Sequence, residues 1–439
     1  MDSTVNEIIQ FALESDVKFV RLGFCDIFGV QKNISIMADR LKDVFTDGVS
    51  FDAQAIRGFA DTTNSDLLLY PDPVTLRVLP WRPGPGRVVR FYCDIQNPDG
   101  SPFAQDTRLI LQRVLEHCAA LSLTPKVGVE CEFYLFKTDE EGEPTNQTLD
   151  HGGYLDISPL DKGEDIRREV CLTLEEMGIA PETSHHERGP GQNEVDFRFS
   201  DALGCVDDFQ TFKSVVKSIA TRNGLFASFL PKPIANMPGS GLHINLSLGF
   251  GGQNLFSNLD ANGPSTAGSF VAGVLDHASE MTLFLNQLGN SYERLGEHGA
   301  PKYVSWSHQN HSQLIRVLAV GNEQARMELR SPDPACNPYL AFALIIAAGL
   351  DGIERSLDLP PAVNTDLQLT EAAANSNLAL LPDSLETAIT LAKHSDFVRS
   401  VLGDELFERF IALKEAESGE YTYAANNARY FEDYNFKVV

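Results

Sequence analysis

The sequence predicts an α+β protein with two domains, a small first domain and a larger second one. Three observations support this fold class. The 439 residues are too many for one small hydrophobic core. One helical stripe and several strand-like runs fill the first hundred residues, whereas strands and helices are mixed beyond them. A long helical stripe begins after the Pro98-Asp99-Gly100 break, so we place the domains at 1–104 and 105–439.

In the first domain, residues 4–15 carry a helical pattern. Residues 18–36 alternate around a Phe-Gly-Val turn, which predicts a hairpin. Three strand-like runs interrupted by Pro and Gly follow at 67–72, 76–81 and 87–95.

In the second domain, we predict a series of elements of both kinds. The strands lie at 127–136, 241–248 and 325–330, and a hairpin turns around 189–191. The helices lie at 163–178, 206–223, 267–287 and 336–355.

Composition excludes several classes of protein. Lys plus Arg is 35 and Asp plus Glu is 61, and a net charge of −26 repels nucleic acid and anionic membranes. Seven scattered cysteines with no C-x-x-C pair predict free thiols in a reducing compartment. The acidic, amphipathic N-terminus does not resemble a signal peptide, and no apolar run reaches the roughly 18 residues of a membrane span. We therefore expect a cytoplasmic protein without nucleic-acid or membrane partners.

Three strands place acidic, basic or amide groups on one face and apolar groups on the other, because strand side chains alternate. A solvated sheet face would alternate too, but such faces usually carry Thr, Lys and Ser. Two like charges on one bare strand face would repel, so the acids require a cation or arginines opposite them. The residues of these faces are Glu130 and Glu132; His243, Asn245 and Ser247; and Arg326, Glu328 and Arg330.

The Gly189-Pro190-Gly191 turn should bring Glu187 near Glu194, which adds two carboxylates to the same region. Five glutamates and one imidazole without a thiolate suit Mg²⁺ or Mn²⁺. Two such ions could bridge polyphosphate oxygens, which indicates ATP chemistry. Adjacent strand residues face opposite sides, so at most one of His185 and His186 could share this site.

Phosphates would need further ligands from the protein, because no G-x-x-x-x-G-K-[ST] loop is present. Arginines such as Arg316, Arg326 and Arg330 could supply them. The Gly-Ser-Gly segment at 239–241 is either a tight turn or a place where the backbone approaches a ligand closely.

Placed in order, these segments resemble the blocks of the glutamine synthetase family, specifically its bacterial type I members. The matching segments span nearly the whole chain: FDAQAIRGF, GVECEFYLF, SHHERGPGQNE, GSGLHINLSL, NSYERL and ARMELRSPDPACNPYLAF. The resemblance implies an N-terminal β-grasp domain and a C-terminal catalytic domain on a curved antiparallel sheet. It also implies a homo-oligomeric ring, usually a dodecamer, in which Asp52 reaches the active site of a neighbouring subunit.

The resemblance further implies which residues bind the metal ions, the glutamate and the ATP. Two to three Mg²⁺ or Mn²⁺ ions would be bound, one by Glu132, Glu187 and Glu194 and another by Glu130, His243 and Glu328. Glutamate would contact Glu132, Gly239, Arg294 and Arg330, while ATP would contact Asn245, Ser247, Arg316 and Arg326. Asp52 would take a proton from ammonium beside Tyr154 and Glu187. The catalytic residues would be Asp52, Glu187, Arg316 and Arg330.

The implied reaction is ATP-dependent ligation of glutamate with ammonia through γ-glutamyl phosphate, but three departures leave the acceptor open. Gly299 stands where the family's flap carries a glutamate, with Glu297 two residues earlier. His311 replaces an arginine expected on the transferring phosphate, and it would recover part of the lost charge if protonated. Residues after Asp52 also differ from the family pattern, since Ala53 replaces a glycine and Arg57 an acid. Three hypotheses follow: ammonia as acceptor, an organic amine as acceptor, or a catalytically weak regulatory or structural subunit.

Overall fold

A computed structural model describes residues 3–59, 65–81, 86–259, 265–318, 324–368, 377–425 and 439. Within them the α+β prediction is confirmed: a small sheet is built from residues up to Gln96, and a larger sheet is built from Leu123 onward. None of the described helices combines the length and apolar composition needed to cross a bilayer.

The first sheet has the strand order β2-β1-β6-β4-β3, with β5 paired to β6. Strands β1 and β6 run parallel, and the other pairs are antiparallel. Helix α1 (Ser3–Glu14) packs against β1, and α2 (Leu41–Asp47) leads into β3. The strands are β1 (Val17–Cys25), β2 (Gln31–Met37), β3 (Val49–Asp52), β4 (Asp66–Pro71), β5 (Arg77–Val78) and β6 (Arg87–Gln96).

The second sheet has the order β15-β16-β17-β13-β7-β10-β9, with β8, β11 and β12 paired to β7 and β14 paired to β13. All of its pairs are antiparallel except β15 with β16. The strands are β7 (Leu123–Thr138), β8 (Pro144–Thr148), β9 (Pro181–His186), β10 (Gln192–Phe197), β11 (Ser200–Asp201), β12 (Leu225–Ser228), β13 (Leu242–Phe250), β14 (Gln253–Asn254), β15 (Trp306–Ser307), β16 (Ile315–Leu318) and β17 (Arg326–Leu329).

Helices cover the apolar face of this sheet. Helices α3 and α5 pack against β7, and α8 packs on both of them. The side chains of Cys131, Phe133 and Leu135 on β7 are fully buried there. The helices are α3 (Thr107–Ala120), α4 (Glu164–Glu176), α5 (Ala202–Arg222), α6 (Thr266–Asp276), α7 (Ala278–Leu285), α8 (Pro338–Glu354), α9 (Leu385–Lys393), α10 (Asp396–Leu402) and α11 (Asp404–Ala425).

Most predicted elements are confirmed, and two are wrong in extent. The single helix predicted at 267–287 is two helices, α6 and α7, because His277 adopts φ −91° and ψ 0° between them. The strand predicted at 76–81 is reduced to Arg77–Val78, since Pro80 has no N–H to continue the ladder.

An ionic cluster centred on the buried Arg108 joins the first sheet to helices of the larger part of the chain. The Arg108 guanidinium on α3 donates to Asp72 at 2.7 Å, to Asp94 at 2.8 Å and to Asp207 on α5 at 3.0 Å. Tyr339 on α8 donates its hydroxyl to Asp207 at 2.6 Å. Because Asp72 follows β4 and Asp94 lies in β6, Arg108 joins the first sheet to the helices that pack on the second one.

Candidate active site

The register of the second sheet gathers the predicted acids on its polar face. Strand β7 places Glu130 opposite His243 of β13 and Glu132 opposite Glu194 of β10. On the far side of β13, Glu328 of β17 lies opposite Asn245. Directly paired residues share a face, so the strand alternation predicted from the sequence is confirmed.

The first cluster of candidate metal ligands consists of Glu130, His243 and Glu328. The His243 Nδ1 lies 3.1 Å from Glu130 Oε2 and 3.7 Å from Glu328 Oε1. One ligand atom from each residue lies within 4.8 Å of the others. Asn245 donates to the second Glu130 oxygen at 2.9 Å, which fixes the orientation of that carboxylate.

Three arginines surround this first cluster. Arg316 donates to Glu328 Oε2 at 2.7 Å, Arg330 donates to Glu328 Oε1, and Arg326 donates to Asn245 Oδ1 at 2.8 Å. The Nε of Arg316 is buried and has no hydrogen-bond partner among the described residues. Since buried donors are normally satisfied, this N–H is a candidate contact for an anionic ligand.

The second cluster of candidate metal ligands consists of His185, Glu187 and Glu194, and one ligand atom from each also lies within 4.8 Å of the others. The His185 Nε2 lies 3.0 Å from Glu187 Oε1 and 3.8 Å from Glu194 Oε2. His186 points away, with its Nε2 2.9 Å from Asp150, which confirms that only one of the adjacent histidines shares the site.

Glu132 lies beside this second cluster and is held by the Gly-Ser-Gly segment. Its Oε2 accepts from the Gly241 backbone N–H at 2.7 Å and from the Gln192 amide at 2.9 Å. Gln192 also donates to the Gly239 carbonyl oxygen at 3.1 Å.

The glycines at 239 and 241 are sites of close approach. A β-carbon on Gly239 would lie 2.2 Å from the Pro231 carbonyl oxygen, and one on Gly241 would lie 2.6 Å from Arg294 Nη2. The buried Arg294 donates to the backbone carbonyls of Ser331 at 2.8 Å and Arg330 at 3.2 Å. These close approaches are to protein atoms, so they explain why glycines stand at 239 and 241, and the two roles predicted for the segment stay open.

Burial and crowding perturb the acids of this face. Burial raises the pKa of Glu132, and burial together with the neighbouring carboxylates raises the pKa of Glu194 well above its usual range. Burial also acts to raise the pKa of Glu130, but hydrogen bonds from His243 and Asn245 outweigh it and hold that pKa at about 2. Several acids that share one buried face need compensating positive charge, and oxygen ligands with imidazole fit a hard divalent cation.

Three further predicted residues lie around or apart from this face. Ser247 is half-buried on the same face of β13 as His243. Tyr154 is 56% exposed and sets its ring edge-on to His185, with 5.6 Å between the centroids. Asp52 is exposed at the end of β3 and accepts from the Gln54 N–H at 3.0 Å. Among the described contacts of the single chain, none joins Asp52 to the acidic face.

The flap departures also have a structural context. Glu297 is held at 2.7 Å by the buried ammonium of Lys232, which lowers the pKa of Glu297. Partial burial of the imidazole and the charges of Arg316 and Arg330 lower the pKa of His311. This shift disfavours the protonated ring in the chain without ligands, and the role of His311 at the transferring phosphate stays a prediction.

Sequence reasoning missed several polar neighbours of the site. Gln192 and Arg188 flank the predicted turn, and Asp196 lies opposite Glu130 across β7 and β10. The alternation of Glu194 with Asp196 was a visible signal. Arg188 and Gln192 had no such signal, because turn residues follow no periodicity.

Two family models match the chain. The model described as "Glutamine synthetase, catalytic domain" matches residues 104–432, and the one described as "Glutamine synthetase, beta-Grasp domain" matches residues 16–98. The chain belongs to the glutamine synthetase family. The resemblance noted from the sequence, and the β-grasp and catalytic folds that it implies, are therefore confirmed.

Relatives of similar length support this membership. A glutamine synthetase of Methanosarcina mazei is 43% identical over 424 residues, covering 95% of each chain. One from Clostridium saccharobutylicum is 44% identical over 423 residues, covering 95% of this chain and 96% of that one. A solved structure titled "GmaS/ADP complex-Conformation 1" superposes with a TM-score of 0.86 at 32% identity, covering 94% of this chain and 96% of that one. As a member of the glutamine synthetase family, the chain is an ATP-dependent ligase that joins glutamate to ammonia or an amine.

Proposed function

We propose that this glutamine synthetase family member converts glutamate, ATP and ammonia to glutamine, ADP and phosphate through γ-glutamyl phosphate. The observation that carries the proposal is the polar face of the second sheet, where two clusters of potential ligands lie beside three arginines. This arrangement matches the needs of phosphoryl transfer, which depends on positioning and on charge stabilisation.

In this proposal the two clusters hold divalent ions, Mg²⁺ or Mn²⁺, at two to three positions per site. The ligands are Glu130, His243 and Glu328 for one ion, and Glu187 and Glu194 with Glu132 for another. His185 is a further candidate ligand, because it lies 3.0 Å from Glu187. Such ions, when bound, neutralise charge on the polyphosphate.

Nucleotide and glutamate have separate sets of contacts. Arg316, with its unpartnered Nε, and Arg326 are proposed to bind ATP phosphates, and Asn245 and Ser247 of β13 are proposed to line the nucleotide side. We assign the glutamate α-carboxylate to Arg294, its amino group to Glu132 and the Gly239 carbonyl, and its γ-carboxylate to Arg330. The hydrogen-bonded chain from Gly241 and Gln192 to Glu132 supports the amino-group site, since it holds the carboxylate in place.

The acceptor side is proposed to be completed by a second copy of the chain. Asp52 would enter from a neighbouring subunit and take the ammonium proton beside Tyr154 and Glu187. The loop next to this position exposes Tyr154, Leu155, Ile157 and Leu160 by 56% to 76%, which supports a covering partner. We propose a dodecameric ring in the cytoplasm, in which residues 1–104 form the β-grasp domain and 105–439 the catalytic domain.

A second candidate function is ligation of glutamate to an organic amine. Gly299 favours it, because among the described residues a β-carbon there would have one neighbour within 4 Å, Arg188 Nη1 at 3.6 Å. Without an acidic side chain on the flap, the acceptor pocket is wider and less negatively charged, so it could admit a larger acceptor.

Phosphate release with glutamate and Mg²⁺-ATP, measured with ammonia and with a panel of amines, separates these candidates. Stimulation by ammonia alone would exclude an amine acceptor. Binding of ATP and Mg²⁺ without turnover on any acceptor would instead favour a regulatory or structural subunit. Mass spectrometry of the γ-glutamyl product identifies the acceptor directly.

A further inference from the structure

Arg188 presents a guanidinium at the acceptor side of the site. It follows Glu187 in the β9–β10 turn, and its backbone N–H donates to Glu187 Oε2 at 2.9 Å. Its side chain is exposed, with the guanidinium carbon 5.9 Å from the centre of the Tyr154 ring. Among the described residues, no carboxylate forms an ion pair with Arg188. The charge is therefore available to a ligand.

The flap supplies no acid to neutralise Arg188. Gly299 has φ +99°, and the position where its β-carbon would project lies 3.6 Å from Arg188 Nη1. Glu297, two residues earlier, is paired with Lys232 at 2.7 Å. The acceptor side thus carries a basic group facing a glycine, although the protein as a whole has a net charge of −26.

We infer that Arg188 binds a carboxylate on the acceptor, so that the enzyme ligates glutamate to an amine that also carries a carboxylate. This inference rests on the second candidate function, ligation to an organic amine, and it shares with the ammonia reaction the γ-glutamyl phosphate that both need. Arg188 directly follows Glu187, so the guanidinium lies close to the place where Glu187 and Tyr154 would hold the acceptor nitrogen. An acceptor that reaches both must carry its carboxylate only a few bonds from its nitrogen. Short amino acids meet this requirement, whereas diamines place a second cation against Arg188.

The reaction itself is an acyl transfer. The protonated amine first gives one proton to a carboxylate such as Asp52 of a neighbouring copy. Its lone pair then attacks the γ-carbonyl carbon, forming a C–N bond. The C–O bond to phosphate breaks, phosphate leaves with that electron pair, and the nitrogen loses a second proton to the departing phosphate or to water. The product is a γ-glutamyl amino acid.

The test compares three acceptors with three carbons each on the full-length enzyme: β-alanine, n-propylamine and 1,3-diaminopropane, each beside ammonia. Phosphate release gives kcat/KM for each acceptor, and mass spectrometry verifies the product. We expect β-alanine to exceed n-propylamine by about tenfold or more, because a bidentate carboxylate contact is strong. The diamine should be the poorest of the three.

Variants assign the preference to the guanidinium. Arg188→Gln should bring the β-alanine to n-propylamine ratio close to one, Arg188→Lys should retain part of it, and Arg188→Glu should favour the diamine. Arg113→Gln, which changes an exposed arginine on α3, is the matched control and should keep the wild-type ratio.

The outcomes separate this inference from the proposed function. If ammonia supports turnover but β-alanine is no better than n-propylamine, or if Arg188→Gln leaves the ratio unchanged, the inference is overturned while the proposed function stands. If no acceptor including ammonia supports turnover in an enzyme that binds ATP, both are overturned.

Discussion

Arg316 and Glu328 face each other in register across β16 and β17, and Arg316 Nη1 donates to Glu328 Oε2 at 2.7 Å. Glu328 also accepts from Arg330, and its Oε1 lies 3.7 Å from His243 Nδ1. The buried Glu328 carboxylate therefore joins Arg316, proposed to bind phosphate, and Arg330, proposed to bind the γ-carboxylate of glutamate, to the proposed metal ligand His243.

Glu328→Gln should weaken divalent-cation binding by about tenfold or more, since the amide keeps one oxygen acceptor for the arginines but removes the charge that a hard cation requires. Isothermal titration with Mn²⁺ or Mg²⁺ measures the change. Glu405→Gln, at an exposed position on α11, is the control. Equal affinities for the two variants would contradict the assignment of Glu328 as a ligand.

Gly299→Glu combined with His311→Arg should raise ammonia-dependent turnover by about tenfold or more, because it returns an acid to the flap and a permanent charge to the phosphate side. Phosphate release with ammonia is the measurement. Gly299 has φ +99°, so the new side chain also strains the backbone. Gly403→Glu reports the cost of strain alone, because Gly403 has φ +79° and its β-carbon would meet nothing within 4 Å. An unchanged ammonia rate would show that these two departures do not limit the reaction.

Arg108→Met should lower the free energy of unfolding by about 3 kcal/mol or more, because it leaves the buried Asp207 without its cation. Urea denaturation provides the measurement. The control is Arg399→Met, whose ion pairs with Asp404 and Glu408 lie at the surface and should contribute much less. Similar losses for the two variants would show that the interdomain cluster is not a major source of stability.

His277→Gln should destabilise the protein more at pH 6 than at pH 9. Burial acts to lower the pKa of His277, but hydrogen bonds to Glu280 and Asp351 outweigh it and raise that pKa. The stabilisation is therefore fully present below about pH 6.5, the ordinary histidine value, and is lost as pH rises through the raised folded-state pKa. We expect about 1 kcal/mol at pH 6, since water competes for the partly exposed carboxylates.

At low pH, the carboxylates that pair with His277 change the stability in the opposite direction. Hydrogen bonds from His277 outweigh burial and lower the pKa of Glu280 and of Asp351. Their contribution is present above about pH 4 and is lost as pH falls through the lowered values. The variant and wild type should therefore differ most between about pH 5 and 6.5 in urea midpoints. His394→Gln, at an exposed histidine, is the control, and a pH-independent effect of His277→Gln would contradict this account.

Sequence patterns predicted the polar face of the sheet because the alternation of neighbouring residues along each strand determines which side chains share a face. Alternation along β7, β13 and β17 placed Glu130, Glu132, His243 and Glu328 on common faces, and pairing then brought those faces together. The pairing of Lys232 with Glu297 and the joining of Arg108 to Asp207 were not predictable, because these contacts span 65 and 99 residues and follow no periodicity. The sequence also did not predict that the helix at 267–287 breaks at His277. The imidazole of His277 is hydrogen-bonded to Asp351, which lies 74 residues away, so this contact leaves no local pattern.

The alternation of strand β7 limits which insertions and deletions the strand can accept. Its Glu130 and Glu132 face the polar side while Cys131 and Phe133 are fully buried on the other. Deleting or inserting one residue just before Glu130 would turn both acids toward the apolar interior and expel the core side chains. Only insertions or deletions of an even number of residues keep the acids on the polar face and the apolar side chains in the core. Insertions or deletions of an odd number in this strand should therefore prevent folding even where point substitutions are tolerated.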